Sequence, residues 1–379
     1  MTRVLRGINW GHRRAVGPLS GAAAGFRQMH SDIEIVWSQR SLAGFEFDAV
    51  PTLAENFDLV VLDHPFCGVI AETGCLMPLE GLPGLQDRMF VGPSLASYRY
   101  EKRIWALPID AACQVAVSRP DLLAGADVPS IWSDVLSLGR AARRRGQSLA
   151  VALKGVHSLM TFFTLCANLG RPCSLDPAEP LVDSEAAGTA LDAIEELLAL
   201  CPTEALGWDS IALHEAMTSD DRLVFCPAVY LYATYAEADV ARPLRFHDLP
   251  GLRGPDPSGS TLGGTGLGIS RKCRDPEGAL AYAAYLLEPE TQTAFAAHHG
   301  QPARIEAWTG PAADAQFGGA FSATRATLEA SWIRPRYSGY LRFQSKAGDL
   351  LEHYLRGGIG RPDLLAVLNG LHGRRGADG

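Results

Sequence analysis

The stretch Phe57-Asp58-Leu59-Val60-Val61-Leu62-Asp63-His64-Pro65 decides the fold. Its central apolar run is short, rich in branched side chains and closed at each end by an aspartate. Such a run reads as a strand buried on both faces, the kind used in parallel sheets. Working outward, Val4–Trp10 reads as a first strand and Ile33–Trp37 as a second, with a helix from about Gly17 to His30 between them. On the other side, Trp105–Asp110 and Gln114–Ser118 read as two extended pieces. Strands alternating with helical periodicity predict an α/β architecture around a mostly parallel sheet.

The middle of the chain is more helical. Helices are expected at Ser130–Arg145, with Ser130 or Ser133 as N-cap, and at Ser158–Leu169 and Ser184–Leu200. A strand at Leu149–Leu153 and a short one at Leu223–Cys226, stopped by Pro227, lie among them. Gly251–Gly268 is rich in Gly, Pro and Ser and reads as a loop. Further helices are expected at Pro276–Leu287, Glu290–His299, Phe321–Ser331, Phe343–Arg356 and Arg361–Leu371.

Composition narrows the function. The 379 residues carry 34 Lys and Arg against 42 Asp and Glu, a net charge of −8. That balance lacks the basic surplus of a dedicated nucleic-acid binder. Hydrophobic residues make up 47%, enough for a sizeable core. No segment has the apolar length of a membrane helix, so no membrane insertion is expected. The eight cysteines are well spread and form no CxxC pair, which predicts buried free thiols rather than disulfides or a zinc site. No cofactor is expected.

Polar residues gather where strands end, the place where open α/β sheets bind ligands. Trp10 and His12 follow the first strand, Arg40 the second, and Asp63 and His64 the third. Asp110 follows Pro108; Lys154 and His157 follow the strand at 149–153; Tyr230, Tyr232 and Tyr235 come after the strand near Phe225. Aromatic rings among hydrogen-bonding groups suit a small polar ligand such as a sugar or polyol.

Reactive constellations are weaker. Asp63 and His64 are neighbours in sequence, and adjacent residues of an extended chain point to opposite sides, so no acid–base dyad is expected. There is no G-x-S-x-G elbow and no H-E-x-x-H. His298 and His299 would sit about 100° apart on a helix, a poor metal pair. Neither a catalytic residue nor a metal site is predicted. Gly263-Gly264-Thr265-Gly266-Leu267-Gly268 lacks the spacing of a phosphate loop and runs on into an extended segment. It reads as a place of close backbone approach, where glycine supplies φ > 0 and tight packing.

Taken in order, these pieces resemble a known family. Phe57–Pro65, Gly74-Cys75-Leu76-Met77-Pro78-Leu79, Trp105–Asp110, Arg119–Leu123, Val128–Trp132, Leu262–Gly266 and the helices after Pro276 are similar, over nearly the whole chain, to the extracellular solute-binding proteins of family 1, the sugar-binding class that serves ABC transporters. The resemblance implies a type II periplasmic-binding-protein-like fold: two α/β lobes with a hinge and a ligand cleft. Lobe 1 would take 1–112 and 269–305, and lobe 2 would take 113–268 and 306–379. The ligand-binding residues it implies are Trp10, His12, Arg40, Asp63, His64 and Asp110 from lobe 1. From lobe 2 they are His157, Tyr230, Tyr232, Gly264 and Thr265, with Arg336 reaching in from a late segment. Trp10 and a tyrosine would form the stacking platform for a sugar ring.

The implied function is capture of a small polar ligand (sugar, polyol or sugar acid) and its delivery to an ABC permease, by a monomer. His12, Arg40, His64 and Arg336 make the expected site cationic, which favours a carboxylate-bearing analogue. The alternative is a cytosolic ligand sensor or an enzyme on the same fold, with His64, Asp63, His157, Lys154 or Cys67 as its reactive groups. Arg3, Arg6, Arg13 and Arg14 precede no apolar run or cleavage site. The expectation is therefore a cytoplasmic protein if the sequence is complete as written, and a periplasmic one if a leader is missing.

Overall fold

Among the described residues ten strands are formed, in the order β1 (Arg3–Trp10), β2 (Ile33–Arg40), β3 (Leu59–Leu62), β4 (Arg99–Tyr100), β5 (Arg103–Ile104), β6 (Leu107–Ser118), β7 (Ser148–Leu149), β8 (Leu223–Tyr230), β9 (Arg245–His247) and β10 (Leu262–Ile269). This is a computed structural model, and it describes residues 2–176 and 178–373. The chain divides into two compact units. The first holds the chain up to Ala112, Gly263–Gln316 and Pro335–Tyr340. The second holds Cys113–Leu262, Phe317–Arg334 and the chain from Leu341 onward. The return to the first unit at Gly263 precedes the expected 269, and the segment Pro335–Tyr340 belongs to the first unit as well.

In the first unit β1 pairs in parallel with both β2 and β3, while β10 runs antiparallel beside β3. All four residues of β3 are buried, as is every residue of β6. The helix α1 (Arg13–Met29) packs Ala15, Pro18, Leu19, Ala22 and Phe26 inward. Full burial of a Leu or Phe side chain contributes about 1.5–3 kcal/mol, so Leu19 and Phe26 do most to fix α1 on its unit.

In the second unit β8 pairs antiparallel with β6 and in parallel with β7, and β9 lies antiparallel on β6. The helix Val156–Asn168, buried from His157 to Ala167, meets β6 where Thr161 and Thr164 hydrogen-bond with Gln114, and the helix Ser184–Leu198 packs against it.

Several expectations are corrected. The sheet is mixed rather than mostly parallel, because a long apolar run reports burial on both faces and not strand direction. The two extended pieces at 105–118 are the single strand β6. The strand expected over 149–153 is only Ser148–Leu149. β8 does not stop at Pro227 but runs on to Tyr230. The register with β6 shifts between Val115 and Val117, opposite this segment, and a bulge is where a residue without N–H is tolerated. The end of the expected loop 251–268 is β10. Its glycines are there for close approach: a Cβ on Gly266 would meet the Tyr98 ring at 2.7 Å, and one on Gly268 would meet Leu76 at 2.5 Å. The helix expected from Ser130 is Trp132–Arg143, and its N-cap is Ile131, with no side-chain cap. His299 lies off the helix, at φ +71°.

No disulfide joins the cysteines among the described residues, and Cys67, Cys113, Cys166, Cys173 and Cys226 are buried. Among the described residues no helix is long and apolar enough to cross a membrane, and no group of three or more His, Cys, Asp and Glu could hold a metal ion.

Candidate functional site

The parallel register of the first unit puts Trp10 opposite Arg40 at the carboxyl ends of β1 and β2. Asp63 follows β3 at the same edge. β10 runs the other way, with Gly266 opposite Leu62, so Gly264 and Thr265 also reach this edge. A Cβ on Gly264 would lie 2.4 Å from the Asp110 carbonyl oxygen, which brings β6 in beside them. One edge of one sheet thus collects Trp10, Arg40, Asp63, Gly264, Thr265 and Asp110, from segments far apart in sequence.

Trp10, Asp110 and Thr265 of this edge also line a cavity of ≈ 10 Å³ beside α1, together with Arg14, Gln301 and apolar side chains such as Leu19, Ile109 and Phe295. Arg14 donates to Asp110 twice, Nε to Oδ2 at 2.7 Å and Nη2 to Oδ1 at 2.5 Å. Their side chains are 4% and 7% exposed. Burial raises the Asp110 carboxyl, and the Arg14 guanidinium opposes that shift. Gln301 is buried and exchanges hydrogen bonds with the Ala111 backbone. Trp10 Nε1 and Thr265 Oγ1 are buried with no hydrogen-bond partner among the described residues. A buried donor or hydroxyl left unpaired costs about 1–3 kcal/mol, so these two groups mark a place that a polar ligand can complete.

The other predicted site residues of this unit have work within the fold. His12 caps α1, its Nδ1 accepting from the Arg14 backbone N–H at 3.1 Å. Arg40 donates to the carbonyls of Val61 at 2.8 Å and Gly44 at 3.1 Å, with Asp48 3.7 Å away. The ring of Trp10 is not an open platform: it packs on Phe45 at a centroid distance of 5.0 Å and is 4% exposed. Arg336 is pinned as well, Nη1 donating to the carbonyls of Ala96, Ser97 and Arg99 at 2.8–2.9 Å. These bonds close the carboxyl end of the short helix Ser94–Ser97.

Asp63 and His64 overturn the argument from adjacency. Asp63 caps the 3₁₀ turn His64–Phe66, and this turn folds the imidazole back, with Nδ1 3.0 Å from Asp63 Oδ1. His64 is fully buried, edge-on to the Tyr98 ring at 6.3 Å. Cys67 is buried too, and burial pushes its thiol up to about 12, which keeps it protonated and a poor nucleophile.

In the second unit β7 and β8 run parallel, so Lys154 and His157 lie at the same edge as Tyr230 and Tyr232. His157 is buried at the start of the helix Val156–Asn168, its Nδ1 3.3 Å from Ser210 Oγ. Burial lowers its pKa to about 4, Lys154 and Arg334 adding to the effect and Asp209 opposing it. Tyr232 and Tyr235 pack on His214 at 5.7 Å and 5.0 Å, and the Tyr235 hydroxyl donates to Glu215 at 2.6 Å.

The reading from sequence missed Arg14, Gln301, Ser210 and His214. Arg14 carried a usable signal, since it stands two positions past His12 at a strand end already singled out. His214, one helical turn after Ser210, carried none that separates it from a core histidine.

Comparison with known proteins identifies the chain. The sequence profile of the bacterial extracellular solute-binding proteins matches residues 22–305. No curated protein matches it in sequence. Solved structures match in fold. Maltose-bound MalE3 of T. maritima superposes with a TM-score of 0.83 at 18% identity, over 98% of this chain and 99% of that one. An ABC transporter solute-binding protein of Agrobacterium radiobacter in complex with ribitol gives 0.81 at 19%, over 99% and 98%. Another from Thermotoga lettingae, bound with α-D-tagatose, gives 0.82 at 16%, over 98% and 100%. With most of its length matched by the family's profile and its fold shared with ABC solute receptors, the chain belongs to the bacterial extracellular solute-binding proteins.

Proposed function

We propose that this protein captures a small polyhydroxylated solute (a sugar, a polyol or a sugar acid) and delivers it to an ABC transporter. The observation that carries the reading is the edge of the first unit, where Trp10 and Thr265 line one cavity and each holds a buried polar atom, Nε1 and Oγ1, with no hydrogen-bond partner among the described residues. Hydroxyl groups, each a donor and an acceptor, complete such a pair. The second unit, by itself, carries an aromatic edge of its own, Tyr230 and Tyr232 with His157. The ligands of the matched structures, maltose, ribitol and tagatose, support the same solute class.

In this reading the two units are the lobes of the receptor, they close on the solute when it binds, and the chain acts as a monomer. The family is extracellular, and the periplasm is the compartment in which such a receptor meets its permease. The test is thermal unfolding against a panel of sugars, polyols and sugar acids. A solute at about 100 times its dissociation constant adds about 2.7 kcal/mol to native stability. A shift with the solute recovered unchanged is expected. A solute consumed or altered, or silence across the panel, overturns the proposal.

A further inference from the structure

We propose that Gln114 is a positioning residue for the solute: through Thr161 and Thr164 it sets where His157 stands relative to Tyr230. This goes beyond the solute-binding reading above and rests on it. Every residue of the linkage belongs to the second unit. Helical periodicity puts His157, Thr161 and Thr164 on one stripe of the helix Val156–Asn168, at i, i+4 and i+7. Antiparallel register puts Gln114 opposite Tyr230, so these two side chains share one face of the sheet. Gln114 joins stripe and sheet. Its Nε2 donates to Thr161 Oγ1 at 3.3 Å, and its Oε1 accepts from Thr164 Oγ1 at 2.6 Å.

The carboxamide is locked from several sides. Gln114 is 2% exposed, and Thr161 and Thr164 are fully buried. The Thr164 hydroxyl, donating to Gln114, also accepts from the Thr261 backbone N–H at 3.0 Å. Ser260 Oγ donates to the Gln114 carbonyl at 2.5 Å. Apolar side chains would hold the helix on the sheet as firmly, since replacing a buried polar group and its partners by well-packed hydrophobes is often neutral. What the directional bonds add is one defined position of the helix along and around its axis. A helix released from Gln114 can slide or turn on the sheet, and either motion carries His157 out of its place at the edge where Tyr230 ends β8. Groups that bind a ligand need that place held closely by the side chains behind them.

The experiment compares Thr164→Val, which removes the hydroxyl and nearly keeps the shape, with Thr164→Ser, which keeps the hydroxyl, and with Gln114→Met. Ile70→Val, at a buried site of the first unit, supplies a loss of stability with no part in the linkage. Calorimetric titration uses whichever of maltose, ribitol, tagatose and glucuronate binds the unaltered protein most tightly, at a temperature where each variant is folded. Thr164→Val and Gln114→Met should each weaken binding at least about fivefold. Their double variant should lose no more than the larger single loss, because both break one linkage. Thr164→Ser and Ile70→Val should bind as the unaltered protein does. The NMR resonances of the His157 imidazole should move in Thr164→Val and Gln114→Met and stay in place in Ile70→Val. If Gln114→Met does not fold, the two Thr164 variants decide alone. Unchanged affinity in Thr164→Val, or equal losses in Thr164→Val and Thr164→Ser, overturns this inference and leaves the solute-binding reading in place. Absence of binding by all four solutes to the unaltered protein overturns both.

Discussion

Arg14 and Asp110 form a buried, two-bond ion pair that joins the start of α1 to β6, at 2.7 Å and 2.5 Å, beside the cavity that Trp10 and Thr265 also line. Desolvating two charges is repaid only while both are present. Arg14→Met or Asp110→Asn alone should therefore cost about 3–5 kcal/mol of unfolding free energy. The double variant Arg14→Met, Asp110→Leu should recover much of that loss. Urea denaturation of the three proteins checks this; additive losses would show that the two side chains do not act as a pair.

Thr265 and Trp10 should separate stability from binding. Thr265→Val removes a buried, unpartnered hydroxyl while nearly keeping the shape, so the unfolding midpoint should hold or rise. Solute affinity should fall by about tenfold, the equivalent of one lost hydrogen bond of about 1.4 kcal/mol. Trp10→Phe, which removes the indole N–H, should lower affinity in the same direction. Unchanged affinity in both variants would remove the cavity from the binding account.

Gly264 has φ +95°, and a Cβ there would meet the Asp110 carbonyl oxygen at 2.4 Å. Gly264→Ala combines a disfavoured backbone with a backbone clash, and should cost at least about 1–3 kcal/mol. Gly188→Ala, at a site with nothing near the added carbon and inside a helix, should be neutral or stabilising by up to about 1 kcal/mol. Thermal midpoints of the two variants read the contrast directly.

Acid should weaken the fold through its buried histidines. Burial lowers His157 and His247 from the ordinary 6.5 to about 4. From pH 6.5 down toward 4 the unfolded chain binds protons that the folded chain refuses. Stability is thus fully present above about pH 6.5 and declines as pH falls through that window, by up to about 1.4 kcal/mol per pH unit for each histidine. Urea midpoints at pH 7.5 and pH 5 measure the slope, and His157→Gln should flatten it. A slope unchanged by that substitution would assign the effect elsewhere.

What the sequence made legible follows from what local pattern records. The run Leu59–Leu62 is apolar because both of its faces are buried, so β3 could be read directly. Trp10 could be singled out because it ends β1, whereas Asp110 lies inside β6 and Thr265 inside β10, the first named from an expected strand end and the second through the family resemblance. Pairing across the chain was not legible. Nothing local to Asp110 says that Arg14 will pair with it, and nothing local to Arg336 says that its Nη1 will donate to the carbonyls of Ala96, Ser97 and Arg99. Strand direction was hidden for the same reason, since β6 and β10 are as apolar as a parallel strand yet pair antiparallel with β8 and β3. The Asp63–His64 contact depended on a single 3₁₀ turn, too short to leave a periodic signal.

The measurement that bears most directly on the central claim is a crystal structure of the protein with a solute selected by the thermal panel. The account predicts the solute at the carboxyl edge of β1 and β3, with a hydroxyl within hydrogen-bond reach of Trp10 Nε1 and Thr265 Oγ1 and the Arg14–Asp110 pair intact. A solute bound elsewhere, or seated on Arg14 with Asp110 displaced, would contradict it.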